Sequence, residues 1–273
     1  MDYVQVRGVA VPALGFGTWQ LEGRACYDAV RHALELGYRH LDTAQAYGNE
    51  EQVGRALADS GVARDEVFLT TKLWRSDLGA DRVEPATEGS LRRLGSDYVD
   101  LLLVHWPVYD VPVAETLGAM TELAEAGKVR CIGVSNHPPS LLRDAARHAP
   151  VFCHQVEYHP LLSQDRLLAL ADELDHLLTA YSPIAQGRVN DEPLVQEIAA
   201  AHGKTPAQVA LRWLLQHPRV AAIPRSASAQ RRAANLDVFD FTLTEEEVTA
   251  LHDLAHQRDL RLIDPGFVRD WER

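Results

Sequence analysis

Val99-Asp100-Leu101-Leu102-Leu103-Val104-His105-Trp106 is the stretch whose reading decides the fold. Only Asp100 interrupts its apolar run. A strand with one wet face alternates apolar and polar side chains, so a continuous run describes a strand covered on both faces. The run then delivers His105 and Trp106, where the covered segment ends. Working outward, the same design recurs. Toward the C-terminus, Cys131–Val134 leads into Ser135-Asn136, Val151–Val156 carries Gln155, Leu177–Ala180 leads into Tyr181, and Val220–Ile223 leads into Pro224-Arg225-Ser226. Toward the N-terminus, Val67–Thr71 precedes Lys72, Tyr38–Asp42 ends on Asp42, and Ala13–Gly17 is the first of the series.

Helical periodicity fills the intervals. Ala25–Leu36 places Ala29, Ala33 and Leu36 on one face and stops at Gly37. Glu51–Ser60, Asp81–Leu94, Ala114–Ala126, Ser140–His148 and Arg166–Leu174 follow, then Glu192–His202 with Pro206–Gln216, Ala229–Leu236, and Thr244–Leu254. The last opens on a Thr-Glu-Glu-Glu capping signature. Val4, Val6, Val9 and Val11 around Gly8 predict a small hairpin ahead of the series. Alternating strands and helices leave an open doubly wound sheet or a closed barrel. Eight units at even spacing favour a (β/α)8 TIM barrel, a single domain over 1–273, with an N-terminal hairpin and an extra C-terminal helix and tail. The stretch from Arg258 to Arg273 has no period and reads as an ordered loop.

Composition narrows the function classes. A net charge of −12 argues against a nucleic-acid binder, which needs clustered Lys and Arg. Cys26, Cys131 and Cys153 are isolated and odd in number, which suits a reducing cytosol better than a disulfide framework. The N-terminal stretch lacks a basic segment followed by an apolar core, so no signal peptide is expected. No apolar run approaches the ~20 residues of a membrane span. The expectation is a cytoplasmic protein, acting as a monomer without nucleic-acid or membrane partners.

In a barrel of this kind the chemistry sits at the carboxyl ends of the strands. Asp42, Tyr47, Lys72 and His105 occupy three successive strand-to-helix connections, so one barrel mouth brings them together. A phenol with a pKa of ~10 is a poor proton shuttle at neutral pH, and a neighbouring ammonium lowers it by ~1–3 units. Asp42 would hold Lys72 charged, and His105 would orient a substrate oxygen. Gly15-x-Gly17 invites a dinucleotide-fold reading, but no third glycine opens a helix and no acidic residue follows at the required distance. A tight turn explains it better. His105, His137, His154 and His159 lack the paired spacing of zinc enzymes, so no metal is expected.

The chain resembles the aldo-keto reductase family along its whole length, through GFGTW (Gly15–Trp19), DTAQAYGNE (Asp42–Glu50), TTKLW (Thr70–Trp74) and LLLVHWP (Leu101–Pro107). The match continues with IGVSN (Ile132–Asn136), HQVEYHP (His154–Pro160), AYSPIAQG (Ala180–Gly187), TPAQVALRW (Thr205–Trp213) and IPRS (Ile223–Ser226). The resemblance implies NADPH-dependent reduction of an aldehyde or ketone, with the family's catalytic tetrad on Asp42, Tyr47, Lys72 and His105 and Tyr47 as the general acid. It puts the nicotinamide carboxamide on Ser135, Asn136 and Gln155 and the ring of Tyr181 against the nicotinamide. Thr18 and Trp19 would join the cofactor site, Ser182, Pro183 and Gly187 would border the pyrophosphate, and Arg225, Ser226, Arg231 and Asn235 would grip the adenosine phosphate.

Two departures bear on the cofactor. Arg225 stands where the family commonly has Lys, and its guanidinium can still hold a 2′-phosphate. Ala234 replaces a frequent Glu beside the adenine. Trp19, Trp74 and Trp106, each following a strand, would form with Tyr47 and His105 an aromatic wall around the substrate carbonyl. The short loops and tail are closest in pattern to prokaryotic 2,5-diketo-gluconate reductase-like members, which implies a small keto sugar, keto acid or dicarbonyl as substrate. A cofactor-binding regulatory subunit of the same fold is the alternative, and the unsubstituted tetrad speaks against it.

Overall fold

The computed structural model describes residues 2–272. A hairpin of β1 (Tyr3–Val6) and β2 (Val9–Pro12) precedes eight parallel strands. These are β3 (Phe16–Gly17), β4 (His40–Asp42), β5 (Phe68–Leu73), β6 (Val99–Val104), β7 (Val129–Ser135), β8 (Cys153–Glu157), β9 (Leu177–Tyr181) and β10 (Val220–Ala222). Each pairs with its sequence neighbour. The ring closes where Leu14 bridges Ala222, with Gly15 N–H donating to Ala222 O at 2.8 Å and Ala222 N–H to Ala13 O at 2.8 Å. Gly15 and Gly17 serve this closure. A Cβ on Gly15 would lie 2.8 Å from the His40 ring, and one on Gly17 would lie 2.8 Å from Ile223 O.

The helices wrap the outside: α1 (Gly23–Leu36), α2 (Glu50–Ala58), α3 (Ala80–Leu94), α4 (Val113–Glu125), α5 (Pro139–His148), α6 (Asp165–Glu173), α7 (Pro193–His202), α8 (Pro206–Leu215), α9 (Ala229–Leu236) and α10 (Glu245–Arg258). The fold is the expected (β/α)8 barrel, with boundaries shifted by a few residues. The strand expected over Ala13–Gly17 pairs in a ladder only at Phe16–Gly17, because its first half is committed to closing the barrel. Gly37 ends α1 in the left-handed region at φ 103°. Thr244 caps α10 by accepting from Glu247 N–H while Glu247 accepts from Thr244 N–H, which completes the box read from sequence. That helix runs one turn beyond the expected Leu254, to Arg258.

Strand periodicity explains where the polar groups go. In β6, Leu102 and Val104 join the apolar layer under the helices, while Leu101 and Leu103 point into the barrel beside Val4, Val6, Val11, Phe68, Phe152, Cys153 and Leu177. The hairpin thus plugs the amino-terminal end with valines. Further up the same inward rows stand Asp42, Lys72 and Gln155, so the interior changes from hydrocarbon to ionic between floor and mouth. Asp100, the one break in the opening apolar run, is buried near the floor. It accepts from Arg64 at 2.8 Å, Arg130 at 2.9 Å and Leu69 N–H at 3.0 Å. Among the described residues no helix is long and apolar enough to cross a membrane.

Candidate active site

A cavity of about 990 Å³ opens at the carboxyl end of the barrel. Its floor is the end of β4. Lys72, inside β5 rather than after it, is fully buried, and its ammonium donates to Asp42 Oδ1 at 2.5 Å, to Thr43 O at 2.9 Å and to the Tyr47 hydroxyl at 3.2 Å. An ammonium has three protons and no acceptor, so these three bonds saturate it. Burial works against its charge, but Asp42 and Tyr47 outweigh that and hold its pKa above the ordinary lysine value. Asp42 is satisfied on its other oxygen by Gln155 Nε2 at 2.7 Å.

Tyr47 ends a short 3-10 turn, Gln45–Tyr47, after β4, and Gly48 beyond it turns left-handed at φ 65°. Its phenol departs from the sequence expectation. Burial raises its pKa above the ordinary value; Lys72 pulls it down without overcoming burial. The hydroxyl therefore keeps its proton at neutral pH and has an ammonium ready to take up the charge if the proton leaves. His105 stands beside it, the two rings edge to face at 5.6 Å. Burial, helped by Lys72, drives the imidazole pKa well below its usual value, so the ring is neutral. Its Nδ1 is buried with no hydrogen-bond partner among the described residues, which leaves Nε2 to face the cavity.

The expected substrate wall is assembled from more pieces than the sequence suggested. Trp74 meets His105 edge-on at 5.4 Å, and Trp106 stacks against His105 at 6.5 Å. Trp19 lines the cavity but is 39% exposed at its rim. The missed component is the C-terminal tail. Phe267 meets Trp74 at 6.0 Å and Trp106 at 5.7 Å, Trp271 meets Trp106 at 6.2 Å, and Ile263 and Pro265 also line the cavity. Buried Glu157 fixes this tail by accepting from Leu262 N–H at 2.8 Å and Ile263 N–H at 2.9 Å. Apolar residues in a stretch without periodicity were the available signal. Gln45 is a second omission: it accepts from Trp74 N–H at 2.8 Å and donates to Ala86 O and Ser90 Oγ, which sets the Trp74 backbone.

Across the cavity, β7 and β8 contribute a linked polar set. Ser135 Oγ donates to Gln155 O at 2.8 Å. Asn136, left-handed at φ 61°, donates to Ser135 Oγ and His105 O, both at 3.0 Å, and accepts from the Tyr181 hydroxyl at 2.8 Å. Ser182, Pro183 and Gly187 line the next stretch of wall, with Ser182, Ala185, Gln186 and Gly187 all at positive φ. At the far end stand Arg225, Ser226, Arg231 and Asn235. Arg225 reaches over the groove to Trp19 O at 3.1 Å and Gln20 O at 3.2 Å, and Arg231 Nε lies 3.5 Å from Ser226 Oγ.

All but two of the expected site residues line this cavity. Lys72 lies behind Tyr47, and Thr18 is fully buried, its hydroxyl donating to Asp42 O at 3.0 Å. Thr18 braces the floor rather than facing a cofactor. The remaining donor set fits a phosphorylated dinucleotide in its chemistry: a carboxamide-sized polar cluster of Ser135, Asn136 and Gln155 near the phenol, a backbone-lined middle, and two guanidiniums at the end.

Comparison with known proteins agrees with this geometry. The profile of the Aldo/keto reductase family matches residues 13–256. An "aldo-keto reductase" of Mycolicibacterium smegmatis is 43% identical over 250 residues, 90% of each chain. A "9,11-endoperoxide prostaglandin H2 reductase" of Trypanosoma cruzi is 41% identical over 256 residues, covering 92% of this chain and 90% of that one. A crystal structure described as "a putative 2,5-diketo-D-gluconic acid reductase B" superposes with a TM-score of 0.96 at 45% identity, covering 100% of this chain and 98% of the other. The aldose reductase from Schistosoma japonicum gives 0.91 at 33% identity, over 96% of this chain and 94% of that one. By profile, by sequence over nine-tenths of its length and by fold, this chain belongs to the aldo/keto reductase family.

Proposed function

We propose that this chain is an NADPH-dependent carbonyl reductase acting on small keto sugars, keto acids or dicarbonyls, with Tyr47 as the proton donor. The observation that carries the reading is the buried Asp42–Lys72–Tyr47 line, which ends at a neutral His105 on the cavity floor. When bound, the dinucleotide supplies the hydride.

The chain's own groups supply the rest. His105 Nε2 and the Tyr47 hydroxyl flank the position of a carbonyl oxygen and orient it. As negative charge develops on that oxygen, Tyr47 gives up its proton to complete the alcohol. The phenolate left behind accepts from the Lys72 ammonium, whose position Asp42 and Thr43 O fix in advance. Preorganised charge of this kind, in a site closed to water, is where electrostatic stabilisation is most effective. Trp74, Trp106 and Phe267 form an aromatic wall on one side of the substrate position.

The reading of the cofactor as NADPH rests on the two arginines. In a chain of net charge −12, Arg225 and Arg231 bring positive charge to the end of the groove beside Ser226, where a 2′-phosphate can accept from both. The test is Tyr47→Phe, assayed with methylglyoxal and 4-nitrobenzaldehyde against NADPH and NADH. The expected result is an unchanged fold, unchanged quenching on NADPH binding, and turnover reduced by ~10²–10⁴-fold, the usual contribution of a general acid. Wild-type turnover in that variant removes Tyr47 from the role. Equal use of NADH removes the phosphate assignment.

A further inference from the structure

Away from the mouth, on the outer surface, His252 and His256 sit one turn apart on α10. Residues spaced i and i+4 share a helix face. The N-terminus of α6 brings Asp165 against them: its Oδ1 lies 2.9 Å from His252 Nε2 and its Oδ2 lies 2.6 Å from His256 Nε2. The two imidazoles are edge to face at 4.7 Å. Both rings present the same nitrogen, and all three ligand atoms lie within 4.8 Å of one another.

From this cluster we infer a surface site for a borderline transition-metal dication such as Zn2+, held by His252 Nε2, His256 Nε2 and the Asp165 carboxylate and linking α10 to α6. It lies outside the carbonyl-reducing site and does not depend on that reading. Ligand chemistry selects the ion. Two imidazoles and one carboxylate suit Zn2+, Cu2+ or Ni2+, whereas Mg2+ and Ca2+ take oxygen ligands. The dimensions also fit. Ligands at ~2.1 Å in tetrahedral geometry stand roughly 3.4 Å apart. The present 2.6 and 2.9 Å contacts therefore need to open by less than ~1 Å. As the contacts stand, each Nε2 carries the proton it donates to Asp165. Coordination sends that proton to solvent or to Nδ1 of the same ring, and the metal takes its place between the imidazole and the carboxylate.

The surroundings favour the site. Ser163 Oγ donates to Asp165 Oδ1 at 2.9 Å, the kind of outer hydrogen bond that orients a ligating carboxylate. Side-chain exposures of 38%, 51% and 40% for His252, His256 and Asp165 let an ion in and leave room for water in the remaining coordination positions. The earlier expectation of no metal rested on His105, His137, His154 and His159. The His252-x-x-x-His256 spacing on an exposed helix face lay outside that comparison. Location gives the site a consequence. α10 ends at Arg258, and Ile263, Pro265 and Phe267 of the cavity wall follow directly, so an ion here would pin the helix from which that wall departs.

The experiment is isothermal titration of the full chain, free of any oligohistidine tag, with ZnCl2, NiCl2, MgCl2 and CaCl2 in parallel. Thermal unfolding is followed with and without one equivalent of Zn2+. The expected result is one bound Zn2+ per chain, a rise in Tm with Zn2+, comparable behaviour with Ni2+, and no heat from Mg2+ or Ca2+. His256→Gln and Asp165→Asn remove a ligand each and should weaken Zn2+ binding by more than the ~10–100-fold that follows loss of an outer partner. Both variants should keep the metal-free Tm and the basal reductase rate, because none of the three side chains reaches the cavity. Zn2+ affinity unchanged in both variants overturns the site, as does binding of Mg2+ with equal strength, which marks nothing more than surface acidity.

Discussion

The two sides of the barrel mouth hold charge in opposite ways. On the β4–β6 side the cation is Lys72, fully buried, hydrogen-bonded three times and paired with a buried carboxylate. On the β9–β10 side the cations are Arg225 and Arg231, exposed and held by two backbone carbonyls and a serine hydroxyl. The difference follows from desolvation. A buried ammonium is tolerable only if its partners are built into the fold, so its geometry is permanent. An exposed guanidinium keeps much of its hydration, loses little when it changes partners, and can release a carbonyl to take a phosphate. Under the proposed function, one side would stay still during chemistry and the other would exchange contacts on binding. Gln155 extends the buried side to β7 and β8: its amide donates to Asp42 Oδ2, and its backbone carbonyl accepts from Ser135 Oγ.

Breaking the buried side should have the largest effect. Lys72→Met leaves Asp42 buried with Gln155 and no cation, and should destabilise the protein by about 3–5 kcal/mol. The phenolate would lose its counter-charge, and turnover should fall by about 10³-fold. Urea unfolding and single-turnover reduction measure the two losses separately. Adding Asp42→Asn removes the stranded carboxylate, so the double variant should regain much of the stability and none of the turnover. Recovery of both would mean that the pair matters for the fold alone.

The second effect concerns three buried histidines around β7, β8 and the start of β9, whose neutrality is maintained by burial. Burial pushes His137 and His176 down to about 4 and holds His154 well below the ordinary histidine value. An unfolded chain takes up these protons near pH 6.5, and the folded chain does not until much lower. Between those values the unfolded state binds more protons, so stability rises with pH. The contribution is complete above about 6.5 and is lost as pH falls toward 4. Each histidine contributes up to about 1.4 kcal/mol per pH unit in that window. The urea midpoint should drop between pH 7 and pH 5, and His154→Asn should flatten the drop. An equally steep drop in that variant would place the acid sensitivity elsewhere.

Sequence reading placed the barrel, and brought Asp42, Tyr47, Lys72, His105 and nearly all the expected cavity residues to its mouth, because strands and their ends are marked locally. A continuous apolar run marks a covered strand, and a polar residue at its end marks the mouth. What escaped is set by packing across the barrel. Whether Lys72 or burial prevails at the Tyr47 phenol depends on the water excluded from the assembled mouth, and no spacing in the chain records that. Thr18 sits beside the mouth in sequence yet turns under the floor. The tail from Leu260 to Trp271 shows no period because it is shaped by Glu157, Trp74 and Trp106, residues more than a hundred positions away. Its apolar composition was visible; its destination was not.

The smallest effects distinguish the two exchanging arginines from each other. A hydrogen bond to a charged group contributes about 1.5–3 kcal/mol, so an arginine that gains a phosphate and gives up little should matter by roughly 10–100-fold in KM. Arg231 is in that position, because among the described residues its guanidinium makes one hydrogen bond in the groove, a 3.5 Å approach to Ser226 Oγ. Arg225 must first release Trp19 O and Gln20 O, two charge-assisted bonds across the groove, and its net gain is correspondingly smaller. Arg231→Ala should therefore raise KM for NADPH at least ~10-fold, Arg225→Ala only a few-fold, and neither should change KM for NADH. Steady-state KM values for the two dinucleotides, measured side by side, test the ranking. If Arg225→Ala has the larger effect, its carbonyl contacts are not competing with the phosphate. The bridge to Trp19 would then belong to the bound groove as well, and both sides of the mouth would be preorganised.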